Sequence, residues 1–315
     1  MTWHDHKSKS IYLMRIKLPL TLRRLQTFAR FDEYKRSLKM PEAEETFDLV
    51  FYRPLAFVLV KMIYQLPITP NVVTLFSVIT GIIAAWFFAI GTSQALVVGG
   101  LIYILTNILD CADGQLARLQ QSGTLLGRVV DGVADYLISL AIFLGLGIGL
   151  SIAGSQAWWL VIVAGISSGI HPMFFDYYQS EFIAVARGEQ NFLQFEIIRY
   201  SAEILQMKTG KGSRIKIFLL RLYLWYLHLQ KQAGMKLPHT IIDADQYRQE
   251  NGRMIRRWSL LGPTTNRTFL IVCALTGRIE WYLWIVIVAG NAWLCTCYLL
   301  QKRRNLAKVL NLRKV

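Results

Sequence analysis

The chain of 315 residues is 54% hydrophobic and only 17% charged, with a mean hydropathy of +0.35. Soluble domains carry more charge and spread their apolar residues, whereas here these gather in long runs; an ordinary soluble domain is excluded and a polytopic helical membrane protein is expected. The net charge of +15 would suggest nucleic acid in a soluble protein, but the basic residues fall on one side of the expected membrane, so anionic lipid headgroups are the expected partner and nucleic acid is not.

Residues 1–40 alternate basic and apolar side chains and predict an amphipathic surface helix broken at Pro19. Residues 41–66 turn apolar from Phe47 but carry Asp48, Arg53, Pro54 and Lys61, which suits a second interfacial helix better than a span. Residues 1–66 are thus expected to form an interfacial N-terminal region, and 67–315 a transmembrane domain. The first membrane helix is predicted over about 72–90, the second over 95–117, the third over 125–150 and the fourth over 157–178, with a kink before Pro172. A polar, basic insertion follows at about 180–258; its stretch 214–232 reads as a surface helix because Arg and Lys recur along it. The fifth span, 268–277, is too short alone and must borrow from the residues before it, and the sixth runs over about 281–300. The expected class is all-α, with six transmembrane helices preceded by amphipathic helices. The N-terminus has no run that reads as a cleavable signal peptide. Cys111, Cys273, Cys295 and Cys297 lie in apolar segments without metal-ligand spacing and are expected to be reduced packing residues.

Lys and Arg number twelve in residues 1–71, two (Arg118 and Arg128) in and just after the loop between helices two and three, fourteen in 180–267 and six in 302–315; the loops after helices one and three have none. This alternation puts both termini and the loop between helices two and three in the cytoplasm.

That loop lies in the most informative stretch, DCADGQLARLQQSGTLLGRVVDGVAD, from Asp110 to Asp135. Asp110 and Asp113 are three apart, Asp131 and Asp135 four apart, and both spacings put two carboxylates on one helix face. Taken singly, such a pair is usually a solvated face. Four acids at the mouths of two lipid-type helices are costly: an Asp at mid-membrane costs roughly 2.5–3.5 kcal/mol, and two like charges about 4 Å apart repel by roughly 4 kcal/mol at an effective dielectric near 20. Arg118 alone cannot neutralise them. One or two divalent cations can, and Mg²⁺ favours a few carboxylates together with substrate phosphate oxygens.

Written D-x2-D-G-x2-A-R-x8-G-x3-D-x3-D, the stretch matches at Asp110, Asp113, Gly114, Ala117, Arg118, Gly127, Asp131 and Asp135 and resembles the signature of the CDP-alcohol phosphatidyltransferase family. A chance match at a given start is on the order of 10⁻¹⁰ at ordinary composition. The run Ile68-Thr69-Pro70-Asn71-Val72-Val73-Thr74 resembles the family's entry to its first membrane helix. The resemblance, to a bacterial-type member, implies a multi-pass inner-membrane enzyme of phospholipid biosynthesis. It would move a phosphoalcohol from a CDP-alcohol to an acceptor hydroxyl, one of the two substrates being a lipid, and release CMP. It implies two Mg²⁺ or Mn²⁺ ions held by Asp110, Asp113 and Asp131 with Asp135, and a homodimer. Asp135 is expected to be the general base. Gly114, Ala117 and Gly127 would leave room for the nucleotide, Arg118 would meet phosphate or carboxylate, and Asn71 and Thr74 would line the substrate pocket. Further candidates for the acceptor pocket are His171, Asp176, Tyr177 and Tyr178 on helix four and Thr264, Thr265 and Asn266 before helix five. The chain departs from two familiar variants: Tyr136 stands where several members have Arg, and Gly132 where others have His. The rival reading is a divalent-cation transporter or channel using the same acids.

Overall fold

The computed structural model describes residues 32–155, 158–189, 191–209, 213–234 and 244–312. Most of the expected N-terminal amphipathic helix, including Pro19, lies outside the described residues. Ser37–Val315 forms one compact unit. Within it a π-helical turn, Asp48–Tyr52, runs into α1 (Arg53–Ile63). Then come α2 (Pro70–Ile90), α3 (Ser93–Leu119), α4 (Leu125–Ile152), α5 (Trp158–Ala186), α6 (Phe192–Thr209), α7 (Arg214–Ala233), α8 (Ala244–Trp258) and α9 (Pro263–Leu275). The last helix, α10, begins as Ile279–Trp284, passes through a π-helical stretch, Ile285–Gly290, and continues as Asn291–Leu312. The described chain is helical, without strands, as expected.

Helix ends follow local chemistry. Pro70 opens α2, where its missing N–H costs nothing, and Gly91 closes it in the left-handed region at φ 74°. Thr92 and Thr124 cap α3 and α4, their hydroxyls accepting from Ala95 N at 3.3 Å and Gly127 N at 2.9 Å.

Helices α2, α3 and α4 pack into a tight three-helix group. Around Ala84, Phe88, Tyr103, Ile138, Ile142 and Leu146 their buried faces form one core with Leu270 and Ile271 of α9 and Tyr282 of α10. Outward, Leu75, Phe76, Ile79 and Trp86 of α2 and Leu137, Leu140 and Leu144 of α4 are exposed, as lipid-facing side chains would be.

Among the described residues, five helices are long and apolar enough to cross a membrane: α2, α3, α4, α5 and the stretch Ile279–Leu306 of α10. The helix expected as fifth of six is α9, with 13 residues. That is about 20 Å of helix against a hydrocarbon core of about 30 Å. Its first turns are occupied by Thr264, Thr265, Asn266 and Arg267, whose partners lie inside the protein. Pro172 sits within the continuous helix α5.

The described residues of the insertion are mainly helical, in α6, α7 and α8. Arg128 of α4 pairs with Glu196 of α6 at 2.9 Å, and Val129 packs with Tyr200, Ile204, Leu220 and Leu227 of α6 and α7. On the other side Trp258 of α8 stacks on Tyr178 of α5, ring centroids 4.2 Å apart. Helix α1 is not merely laid alongside: Tyr52, Ala56 and Val60 share a buried cluster with Val73 of α2 and Cys111, Ala112 and Leu116 of α3. All four cysteines are free.

Candidate active site

Two helices bring the acids together. Asp110 and Asp113 lie in the last turns of α3, Asp131 in the second turn of α4, and each of these three offers a carboxylate oxygen within 4.8 Å of the others. The i, i+3 spacing on α3 and the short 120–124 turn achieve this: one face of α3 meets the start of α4.

The surrounding side chains hold the carboxylates unevenly. Thr74 of α2 donates its hydroxyl to Asp113 Oδ2 at 2.5 Å, and its Oγ1 also lies 3.1 Å from the Pro70 carbonyl. Asp131 Oδ1 is buried without a hydrogen-bond partner. A buried, unpaired carboxylate oxygen beside two further carboxylates is a costly arrangement that a cation relieves. The all-oxygen donor set fits a hard divalent ion.

Asp135 stands outside that group of three. Its Oδ1 accepts from Arg267 Nη2 at 2.5 Å, while Arg267 Nη1 donates to Asp110 Oδ2 at 2.9 Å and to Asn107 Oδ1 at 3.1 Å. One guanidinium from α9 thus clamps an acid of α3 to an acid of α4. The sequence reading did not single out Arg267, counting it only among the basic residues of 180–267. The signal was available: an arginine carried into an apolar helix needs an acid partner.

Arg118 Nε donates to the Ser37 carbonyl at 2.5 Å, and its Nη2 is buried with no partner. A Cβ at Gly114 would sit 3.3 Å from Nη2 of Arg118, so Gly114 makes room first for the guanidinium. A Cβ at Gly127 would meet the Thr124 hydroxyl at 3.0 Å and the Asn71 side chain at 3.8 Å, so Gly127 keeps the cap of α4 open to Asn71. Ala117 is half-buried on α3 beside Arg118.

Of the other candidates, several have partners away from the aspartates. His171 Nε2 lies 3.0 Å from Asn291 Oδ1, and Asp176 Oδ2 accepts from Tyr226 and Gln230 of α7. Asn266 donates to Ser168 and accepts from the Tyr282 hydroxyl. Thr264 and Thr265 are held by Glu45, a residue the sequence reading did not single out: its carboxylate accepts from Thr264 N at 3.1 Å, Thr265 N at 2.7 Å and Thr265 Oγ1 at 2.7 Å. Glu45 therefore caps α9 from a distant part of the chain. Its burial, then the neighbouring Asp48, push its carboxyl up to about 8, against the pull of those three donors. Next to it Glu44 and Asp48 lie 2.9 Å and 3.7 Å from the Arg53 guanidinium. These contacts lock residues 44–53 onto the site's flank.

The family model described as CDP-alcohol phosphatidyltransferase matches residues 67–242, more than half of the chain. The chain belongs to the CDP-alcohol phosphatidyltransferase family. The match contains all eight motif positions and the four aspartates. It ends before α8 and α9, so Arg267 lies beyond it. A similar protein is the "Bifunctional IPC transferase and DIPP synthase" of Thermococcus kodakarensis, 40% identical over 68 residues. That match spans 22% of this chain and 15% of the relative's length. The family is one that uses a CDP-alcohol and an alcohol acceptor and generally depends on a divalent metal, and the chain carries helices long and apolar enough to cross a membrane.

Proposed function

We propose that this protein transfers a phosphoalcohol from a CDP-alcohol to an acceptor hydroxyl at the α3–α4 aspartates, releasing CMP. The observation that carries the reading is the convergence of Asp110, Asp113 and Asp131, with the Asp131 oxygen left unpaired. In this reading those three carboxylates hold two Mg²⁺ or Mn²⁺ ions with Asp135 beside them. Bound there, such ions would supply positive charge to phosphate oxygens. Thr74 orients Asp113 through its hydroxyl. Arg118 donates to a phosphate oxygen in this reading, supported by its buried Nη2 having no partner within the protein. Gly114, Ala117, Gly127 and Asn71 border the space the nucleotide would take. Asp135, its carboxylate oriented by Arg267, accepts the proton from the acceptor hydroxyl. The similarity to the Thermococcus kodakarensis transferase over 68 residues supports group-transfer chemistry at this site.

A cation pathway would need polar groups continuing through the protein. At the opposite end of the three-helix group, a Cβ at Gly145 would run into the Ala85 carbonyl and one at Gly149 into the Phe88 carbonyl. That backbone-on-backbone closure favours the enzyme.

The proposal includes a bacterial inner-membrane location, a cytoplasmic site and termini, a transferase domain over 67–315 with an interfacial region before it, and a homodimer. The lysine and arginine alternation supports the orientation. Purified protein should release CMP from a CDP-alcohol in the presence of Mg²⁺ and an acceptor, and EDTA should stop it; release that persists in chelator would end the metal reading. In intact cells a cysteine at Ser122 should be shielded from an impermeant label and one at Ser93 should react. The reverse pattern would strand the aspartates on the wrong side.

A further inference from the structure

Asp110 is claimed twice. It belongs to the group of three carboxylates that could hold a cation, and it also accepts a hydrogen bond from the Arg267 guanidinium at 2.9 Å. Arg267 is 5% exposed and binds Asp135 with its other terminal nitrogen. Its charge cannot be moved far. The cavity it lines with Ser139, Asn266 and Tyr282 has a volume of about 30 Å³, about one water molecule. Asn107 holds the same guanidinium from the side at 3.1 Å.

We infer that Arg267 is a positioning residue that acts as a resident competitor of the divalent cation: it fixes Asp110 and Asp135 in register across α3 and α4, and it sets the affinity for metal by holding a positive charge against one ligand. This rests on the metal reading above. A fixed guanidinium a few ångströms from the carboxylate group opposes an incoming cation directly, since two like charges at that range repel appreciably even at an effective dielectric near 20. The same guanidinium offsets the mutual repulsion of the acids, so the fold tolerates four of them without a permanently bound ion. The consequence for function is a site that takes metal weakly. Substrate phosphates, by adding negative charge, then raise its metal affinity, which links metal binding to the arrival of the nucleotide.

The test uses purified full-length protein in detergent, with Mn²⁺ and Mg²⁺ binding followed by calorimetry and by the cation-induced rise in Tm. Arg267→Met should bind metal about tenfold more tightly than wild type or better, should melt lower without metal, and should gain more from its addition. Arg267→Lys, which keeps the charge and loses the two-pronged grip, should melt lower than wild type yet bind metal within about threefold of it. A residue that merely supports the fold would do the opposite, since a loosened ligand set binds metal more weakly. Unchanged or weaker binding by Arg267→Met, with wild type binding normally, overturns the competitor role alone. Absence of binding in wild type and both variants overturns the metal reading itself. Should Arg267→Met fail to fold, Arg267→Gln carries the same expectation of tighter binding.

Discussion

The two ends of the α2–α3–α4 group are built on opposite principles. At the end where α2 stops and α3 begins, backbone meets backbone: Gly145 and Gly149 of α4 lie so close to the Ala85 and Phe88 carbonyls that any Cβ would collide. At the other end the helices meet through charged and polar side chains, and several buried polar atoms there stay unpaired, Asp131 Oδ1 and Arg118 Nη2 among them. Close packing without polar groups gives rigidity at one end, while the charged end sacrifices stability for chemistry. The contrast teaches where substitutions should hurt activity and where they should hurt the fold.

The largest expected effects lie at the charged end. Asp113→Asn or Asp131→Asn should lower turnover by roughly 10²–10³-fold or more, because metal-assisted charge stabilisation is worth several kcal/mol. Yet the metal-free Tm should hold or rise, since a repelling charge is removed. A fall in Tm as large as the fall in rate would mean these acids serve the fold. Asp135→Asn should lower turnover by about 10²–10⁴-fold while CDP-alcohol binding, measured separately, changes far less. If nucleotide and metal binding vanish together instead, Asp135 is chiefly a ligand and the base lies elsewhere.

The closed end should respond in the other currency. Gly145→Val forces a branched side chain against the Ala85 carbonyl and should cost about 1–3 kcal/mol or more of stability. Circular dichroism melts in detergent would read this, and whatever fraction remains folded should keep normal metal affinity. Loss of metal affinity with an unchanged melt would show the two ends to be less separate than their construction suggests.

The last effect is read in pH and concerns Glu45, on the flank of the charged end. Its carboxyl holds its proton up to about 8 when folded, against 4.5 as the ordinary value. The folded state therefore binds the extra proton between those limits, and this contribution to stability is complete below about 4.5 and lost as pH rises toward 8. Glu45→Gln should flatten that part of the Tm-versus-pH curve, and parallel curves for the two proteins would refute the assignment.

Much of the architecture was legible in the chain. Long apolar runs marked α2, α3, α4, α5 and α10 within a few residues of their observed ends, apart from α5 and α10, which continue past their apolar runs. Thr92 and Thr124 cap their helices through contacts only three residues long. Arginine and lysine recurring along 214–232 marked α7 as a helix that is not a span, which its observed limits Arg214–Ala233 match in extent. Less legible was α9, because its polar first turns look like loop when their partners are unknown.

The sequence by itself determined the acids and their chemistry. Spacings of three and four residues put aspartates on one face of a helix whatever surrounds it, and helical periodicity with hydropathy is a local property. Only the tertiary structure decided what those acids face. Arg267 reaches Asp135 and Asp110 across 132 and 157 residues of chain, and Glu45 reaches Thr265 across 220. Such pairs are set by how α9 docks on α3 and α4, and the packing that docks it is spread over many side chains whose partners no local pattern specifies. The division of the four acids into a group of three and a clamped fourth is therefore a product of the fold.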